Sequence, residues 1–219
     1  MIFIKASDNI KNNFFNEQSK YFVNYNSKKD IDYKKESALF LDKLNNSHNE
    51  HEIQDYIKND NKWFIPLSVI YNDYGIYNAA GNYFYKELPL GKEYKSDYVI
   101  LGHNSDGYKL LLIEFETPNK IKILQNNTND WTKEVRKGLT QLEDWKMWFD
   151  NNREYFINSM HFTEENIDLK QSQIFYLLVI SRRECFDIRA NNKRNQYCYE
   201  NRNINIVSYD RLVDNIARL

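Results

Sequence analysis

Three acidic residues stand in or beside hydrophobic strand sequence. Asp97 precedes Tyr98-Val99-Ile100-Leu101, and Glu114 and Glu116 close the run Leu111-Leu112-Ile113-Glu114-Phe115-Glu116. A carboxylate in a buried strand needs compensation for its charge, and a bound divalent cation is the most economical source. An acid at the start of one strand and an acid at the end of the next are brought together by a hairpin. Phosphodiester hydrolysis needs such a pair: it holds Mg²⁺ or Mn²⁺, which polarises the phosphate and helps deprotonate the attacking water. Along a strand Glu114 and Glu116 share one face, with Phe115 on the other. For Glu116 the competing reading is a solvated side chain just past the buried part of the strand.

Further polar residues fall where they could assist. Glu50 opens an amphipathic helix, where it could reach a metal or its bound water, or simply favour its own helix dipole. Lys137 and Gln141 lie one turn apart on a second helix, suited to holding a phosphate and orienting water, or forming an exposed polar stripe. Ser181-Arg182-Arg183 leaves an apolar strand, and both arginines could contact a phosphate backbone or pair with local acids such as Glu184 and Asp187. Arg136 is a further candidate for DNA contact. Lys193-Arg194 reads as part of a polar loop, either solvated or touching a DNA backbone. The four histidines show no metal-ligand spacing beyond His48 and His51, which flank Glu50, and there is no G-x-S-x-G, phosphate-binding loop or dinucleotide fingerprint.

These residues need a scaffold of both helices and strands. Ser37–Leu44 reads as a helix, and Ser47 or Asn49 is placed to cap another carrying Ile53, Tyr56 and Ile57. Asn104-Ser105-Asp106-Gly107 is a hairpin turn between the strand after Asp97 and the strand Tyr108–Phe115. The unbroken apolar run Leu110–Ile113 fits a sheet covered on both faces. Val135, Leu139, Leu142, Trp145 and Phe149 mark a helix from about Trp131 to Phe149. Strands at Ile174–Ile180 and Ile204–Tyr209 and a closing helix at Asp210–Asp214 complete the order α-β-β-α-β-β-α, an α/β sandwich with a mixed sheet.

The 219 residues suit one domain with a small appendage: an N-terminal arm over 1–35 and the main domain over 36–219. With 30 Lys+Arg against 31 Asp+Glu, the net charge is -1, so any nucleic-acid surface is local. Two cysteines without metal-ligand spacing, no export signal and no membrane-length apolar run point to a cytoplasmic protein that keeps its thiols reduced.

The ordered set Leu88-Pro89-Leu90-Gly91-Lys92-Glu93-Tyr94-x-x-Asp97-Tyr98, Ile113-Glu114-Phe115-Glu116-x-Pro118 and Arg136-Lys137-Gly138-Leu139-x-Gln141-x-x-Asp144-Trp145 resembles the Shedu anti-phage defence proteins. Arg182-Arg183, Tyr209-Asp210-x-Leu212-Val213 and Glu50-x-x-Ile53-Gln54-x-Tyr56-Ile57 fit as well. The resemblance implies a PD-(D/E)xK nuclease core with a restriction-endonuclease-like mixed β-sheet flanked by helices. It also implies metal-dependent DNA cleavage in prokaryotic defence, and a homo-oligomer. It makes Asp97 and Glu114 the metal ligands, Glu50 the helical acid and Gln141 the supporting glutamine. One departure stands out: Glu116 occupies the place of the superfamily's usual lysine. Lys137, from the neighbouring helix, is the expected source of the missing ammonium.

Overall fold

The computed structural model describes residues 23–24, 31–72, 74–76, 82–165 and 167–219. The arm expected over 1–35 lies mostly outside these residues.

The chain is α/β, as expected. A six-stranded sheet runs in the order β1 (Val23–Asn24), β2 (Asn82–Lys86), β5 (Tyr98–Asn104), β6 (Gly107–Phe115), β7 (Ile174–Val179), β8 (Ile204–Val207). The first four are antiparallel to their neighbours, and β6, β7 and β8 are mutually parallel. The short pair β3 (Pro89–Leu90) and β4 (Tyr94–Lys95) stands apart. Helices α1 (Tyr33–Asn46), α2 (Glu50–Asn59), α3 (Phe64–Leu67) and α6 (Tyr209–Ile216) contribute to the core on one face. The long α4 (Lys133–Ser159) covers the other, joined by Ala190 of α5 (Ile188–Glu200). The strand alternation shows this division: Leu110 and Leu112 of β6 pack on the α4 side, and Leu111, Ile113 and Phe115 on the other. All five are fully buried, as the continuous apolar run requires.

The structure chooses between the two candidate caps and changes two other expected elements. Asn49 caps α2 by accepting from the Glu52 N–H at 3.0 Å, while Ser47 closes α1 by donating to the Lys43 carbonyl at 2.7 Å. The α4 helix continues ten residues beyond Phe149 to Ser159. Lys193 and Arg194 lie in α5, not in a loop. That helix buries only Ala190, so it presents no apolar stripe for a 3.6-residue pattern to reveal; Asp187 nevertheless caps it, accepting from the Ala190 N–H at 2.7 Å. Because α5 intervenes, β7 and β8 are joined by a helical crossover and run parallel.

Candidate active site

The β5–β6 register sets the centre. Tyr98 pairs with Ile113, so one step further along the ladder Asp97 comes opposite Glu114. The backbone N–H of Phe115 donates to Asp97 Oδ2 at 2.7 Å and fixes that juxtaposition. The expected hairpin thus brings its two acids together. Glu114 and Glu116 are both buried, at 5% and 4% exposure, and share the sheet face toward α4.

Glu50 enters from the first turn of α2. The start of this helix is tied to the loop after β6, where the Asn119 side-chain amide donates to the His48 carbonyl at 2.7 Å. Gln54, one turn along α2, donates from Nε2 to Glu50 Oε1 and to Asp97 Oδ1, both at 2.9 Å. One amide nitrogen therefore binds the helical acid to the strand acid. Gln54 was not among the expected site residues; its i,i+4 spacing from Glu50 was the available signal.

Lys137 arrives from α4. Its ammonium stands 2.7 Å from Glu116 Oε1. The approach depends on Gly138: a Cβ there would lie 2.5 Å from Leu178 Cδ1 and 3.1 Å from Glu116 Cγ. Glycine costs a helix interior about 1 kcal/mol against alanine, and here it lets α4 settle onto the sheet. Behind the carboxylates, the Tyr209 hydroxyl at the start of α6 donates to the Glu116 carbonyl at 2.6 Å. Gln141 lines a cleft with Lys137, Thr140, Tyr94 and Asp144; among the described residues its amide forms no side-chain hydrogen bond.

The electrostatics follow from crowding acids in a poorly hydrated place. Burial, then the charges of Asp97, Glu50 and Glu116, drive the Glu114 carboxyl well above the ordinary carboxylate range, with Lys137 only partly opposing them. Burial also raises Asp97, against the hydrogen bonds from Phe115 and Gln54. Glu50 is pushed up to about 7 by burial and by Asp97 and Glu116, with Lys137 pulling the other way. Burial lowers the Lys137 pKa, but the hydrogen bond and charge of Glu116 outweigh it, so the ammonium is held above its usual value.

The donor set can be tested against a divalent ion. Glu114 Oε2 is buried and has no hydrogen-bond partner. Such an orphaned oxygen calls for a cation or a proton. Among the described residues no group of three or more His, Cys, Asp or Glu could hold a metal. What remains is the two-carboxylate pair Asp97 and Glu114. Two carboxylates, completed by water and substrate phosphate, suit Mg²⁺, which binds few protein ligands. The pair fits the ion in that limited way.

The arginines divide. Arg182 is 6% exposed; its Nε donates to Asp210 Oδ2 at 3.1 Å and its Nη1 to Asn45 Oδ1 at 2.8 Å. Its guanidinium is a structural tie between the exit of β7, α6 and α1, and the expectation that it meets a DNA backbone gives way. Arg183 pairs with Asp214 but remains largely exposed. Neither pairs with Glu184 or Asp187: Glu184 binds Lys120 and Asp187 caps α5. Arg136 is exposed on α4 beside Lys137.

No curated protein matches the chain. The family model described as "Shedu protein SduA, C-terminal" matches residues 47–213, a span that runs from the residue closing α1 into α6 and contains every candidate site residue above. With these carboxylates and Lys137 inside the match, the chain belongs to the Shedu family.

Proposed function

We propose that this protein is a metal-dependent deoxyribonuclease acting in the anti-phage defence that Shedu membership implies. The observation that carries the reading is the orphaned, buried Glu114 Oε2 beside Asp97, Glu50 and Glu116. A cluster of acids with one unsatisfied oxygen is unfavourable at the end of a merely structural interior strand and useful for holding a cation.

Asp97 and Glu114 would hold Mg²⁺ or Mn²⁺, which supplies charge compensation and Lewis acidity toward a phosphoryl oxygen. Glu50, with its carboxyl near neutrality, takes the proton of the attacking water. The water oxygen adds to phosphorus, one P–O ester bond breaks, and the leaving alkoxide takes a proton from solvent. Lys137 provides the ammonium that position 116 lacks, facing the negative charge that grows on the phosphoryl oxygens. Gln54 keeps Glu50 and Asp97 in fixed relation, and Gln141 lines the approach.

The test is nicking of supercoiled plasmid with Mg²⁺ or Mn²⁺ by the wild type and by Glu114→Ala. Loss of nicking in the variant supports the reading. Equal traces from both proteins overturn it and leave a nuclease-fold module that binds without cutting.

A further inference from the structure

Lys137 lines two clefts of different charge. On the Gln141 side, the carboxylates of Glu93 and Asp144 balance the cations of Lys95 and Lys137. The other cleft, of about 420 Å³, is lined by Gln125, Lys133, Arg136, Lys137 and Thr140: three cations, two neutral polar residues and no acid.

Lys133 and Arg136 are both exposed, and among the described residues neither forms an ion pair or a side-chain hydrogen bond. Two other surface lysines pair with acids, Lys120 with Glu184 and Lys95 with Glu87. Lys133 and Arg136 also sit in the opening turns of α4, where the helix dipole disfavours positive charge. Their placement therefore works against the helix, and helix stability does not account for it. The facing wall is held in position. The Arg189 guanidinium from α5 donates to the carbonyls of Gln125 and Thr128 at 2.9 and 2.8 Å, and the Thr132 hydroxyl donates to the Lys122 carbonyl at 2.9 Å.

We propose that this cleft binds DNA backbone phosphates next to the one that is cut, with Lys133 and Arg136 as the phosphate contacts. The proposal rests on the nuclease reading and deepens it by giving the strand a direction across α4. Lys137 links the cleft to the reacting centre, since it lines the cleft and also bonds Glu116. Gln125 and Thr140 offer neutral donors for phosphate or sugar oxygens, a contact type that positions DNA without reading its sequence. A cleft that holds the unpaired Lys133 and Arg136 and is joined through Lys137 to Glu116, beside Glu114, fits a phosphodiester chain better than an isolated anion.

The experiment is fluorescence anisotropy with a labelled duplex of about 20 base pairs, in EDTA, over a salt titration. Wild type, Lys133→Ala, Arg136→Ala and the remote surface control Lys34→Ala are compared, with thermal melts to verify folding. Each of the two cleft variants is expected to lower the slope of log affinity against log salt by about 1 and to weaken binding to unrelated sequences alike. The control is expected to match wild type. Cleft variants that bind with wild-type affinity and slope overturn the proposal. If wild type and Glu114→Ala nick equally while the cleft variants bind less well, the nuclease reading fails and the cleft assignment stands. If Glu114→Ala abolishes nicking while the cleft variants bind as wild type, only the cleft assignment fails.

Discussion

The Lys137 ammonium lies 2.7 Å from Oε1 of Glu116, joining a largely exposed cation to a carboxylate that is almost wholly buried. The pair spans α4 and the end of β6, so it sets the spacing between helix and strand at the site. It also means that the ammonium approaches the carboxylates from the helix side although position 116 itself is acidic. Lys137→Ala is expected to lower plasmid nicking by about 10²-fold, the scale of losing one preorganised charge contact. Restoring a cation on the strand, with Glu116→Lys added to Lys137→Ala, should recover part of that loss in the same assay. Recovery to no more than the single-variant rate would show that the cation's position matters beyond its charge.

Gln54 makes its prediction through metal affinity. With Gln54→Leu, Asp97 and Glu50 lose their common donor, and Mn²⁺ binding measured by titration calorimetry should weaken by about 10- to 100-fold, the usual effect of removing a group that orients a metal ligand. The metal-free variant should lose about 1–3 kcal/mol from the unpaired Asp97 Oδ1, and thermal melts that show it still folded separate positioning from folding.

Glu114 predicts how stability varies with pH. Its folded pKa lies above the ordinary value of 4.5, so the native protein retains a proton that the unfolded chain releases. That contribution is complete below pH 4.5 and is lost as pH rises toward the folded value. Melts in EDTA from pH 5 to 9 should therefore show the wild-type Tm falling with pH. Glu114→Gln carries no such proton and should fall less steeply. Parallel curves for the two proteins would contradict this assignment of charge.

Arg182 and Asp210 govern the acid side. Burial raises the Asp210 carboxyl, but its bonds to Arg182 and to the Arg183 N–H outweigh that and leave it below 3.8. Its stabilisation is full above that value and disappears as pH falls through the folded one. Arg182→Ala, which strands a partly buried acid, should cost about 3–5 kcal/mol in chemical denaturation at neutral pH. The same variant should lose the wild type's acid sensitivity in this limb.

Gly138→Ala pits two effects against each other. Alanine gains about 1 kcal/mol of helix propensity. Overpacking against Leu178 and Glu116 costs about 1–3 kcal/mol. The net expectation is a loss of up to about 2 kcal/mol together with reduced nicking, because the intruding methyl group displaces Glu116.

The hairpin acids were legible because Asn104-Ser105-Asp106-Gly107 is a strong turn and the flanking apolar runs fix the register. Asp97 and Glu114 could then be paired from strand alternation alone. The Shedu resemblance was carried by residues spread across the whole matched span. Other parts were hidden for physical reasons. The last ten residues of α4 begin with Asp150-Asn151-Asn152-Arg153-Glu154, a polar stretch that interrupts the stripe until Phe156 resumes it. The α5 helix buries a single alanine and reads as solvated loop. The binding of Arg182 to Asp210 joins residues 28 positions apart through a tertiary contact, which no local pattern encodes. Gln54 is visible in the sequence as part of Glu50-x-x-Ile53-Gln54, but its bond to Asp97, 43 residues away, is a tertiary contact that the motif does not encode.

The shortness of the β5–β6 connection also shapes the order in which the molecule assembles. Asn104 pairs directly with Gly107, so Asp97 and Glu114 meet through a local hairpin, a structure that forms in about 1–10 μs in isolation. Lys137 comes from a different element and Gln54 lies 43 residues before Asp97, and such non-local contacts form late. The nascent hairpin thus confronts two acids before their lasting partners arrive, and a proton is the compensation at hand. Refolding without metal is accordingly expected to slow as the solution becomes more alkaline, so that two acids paired in one hairpin leave their mark on the folding rate.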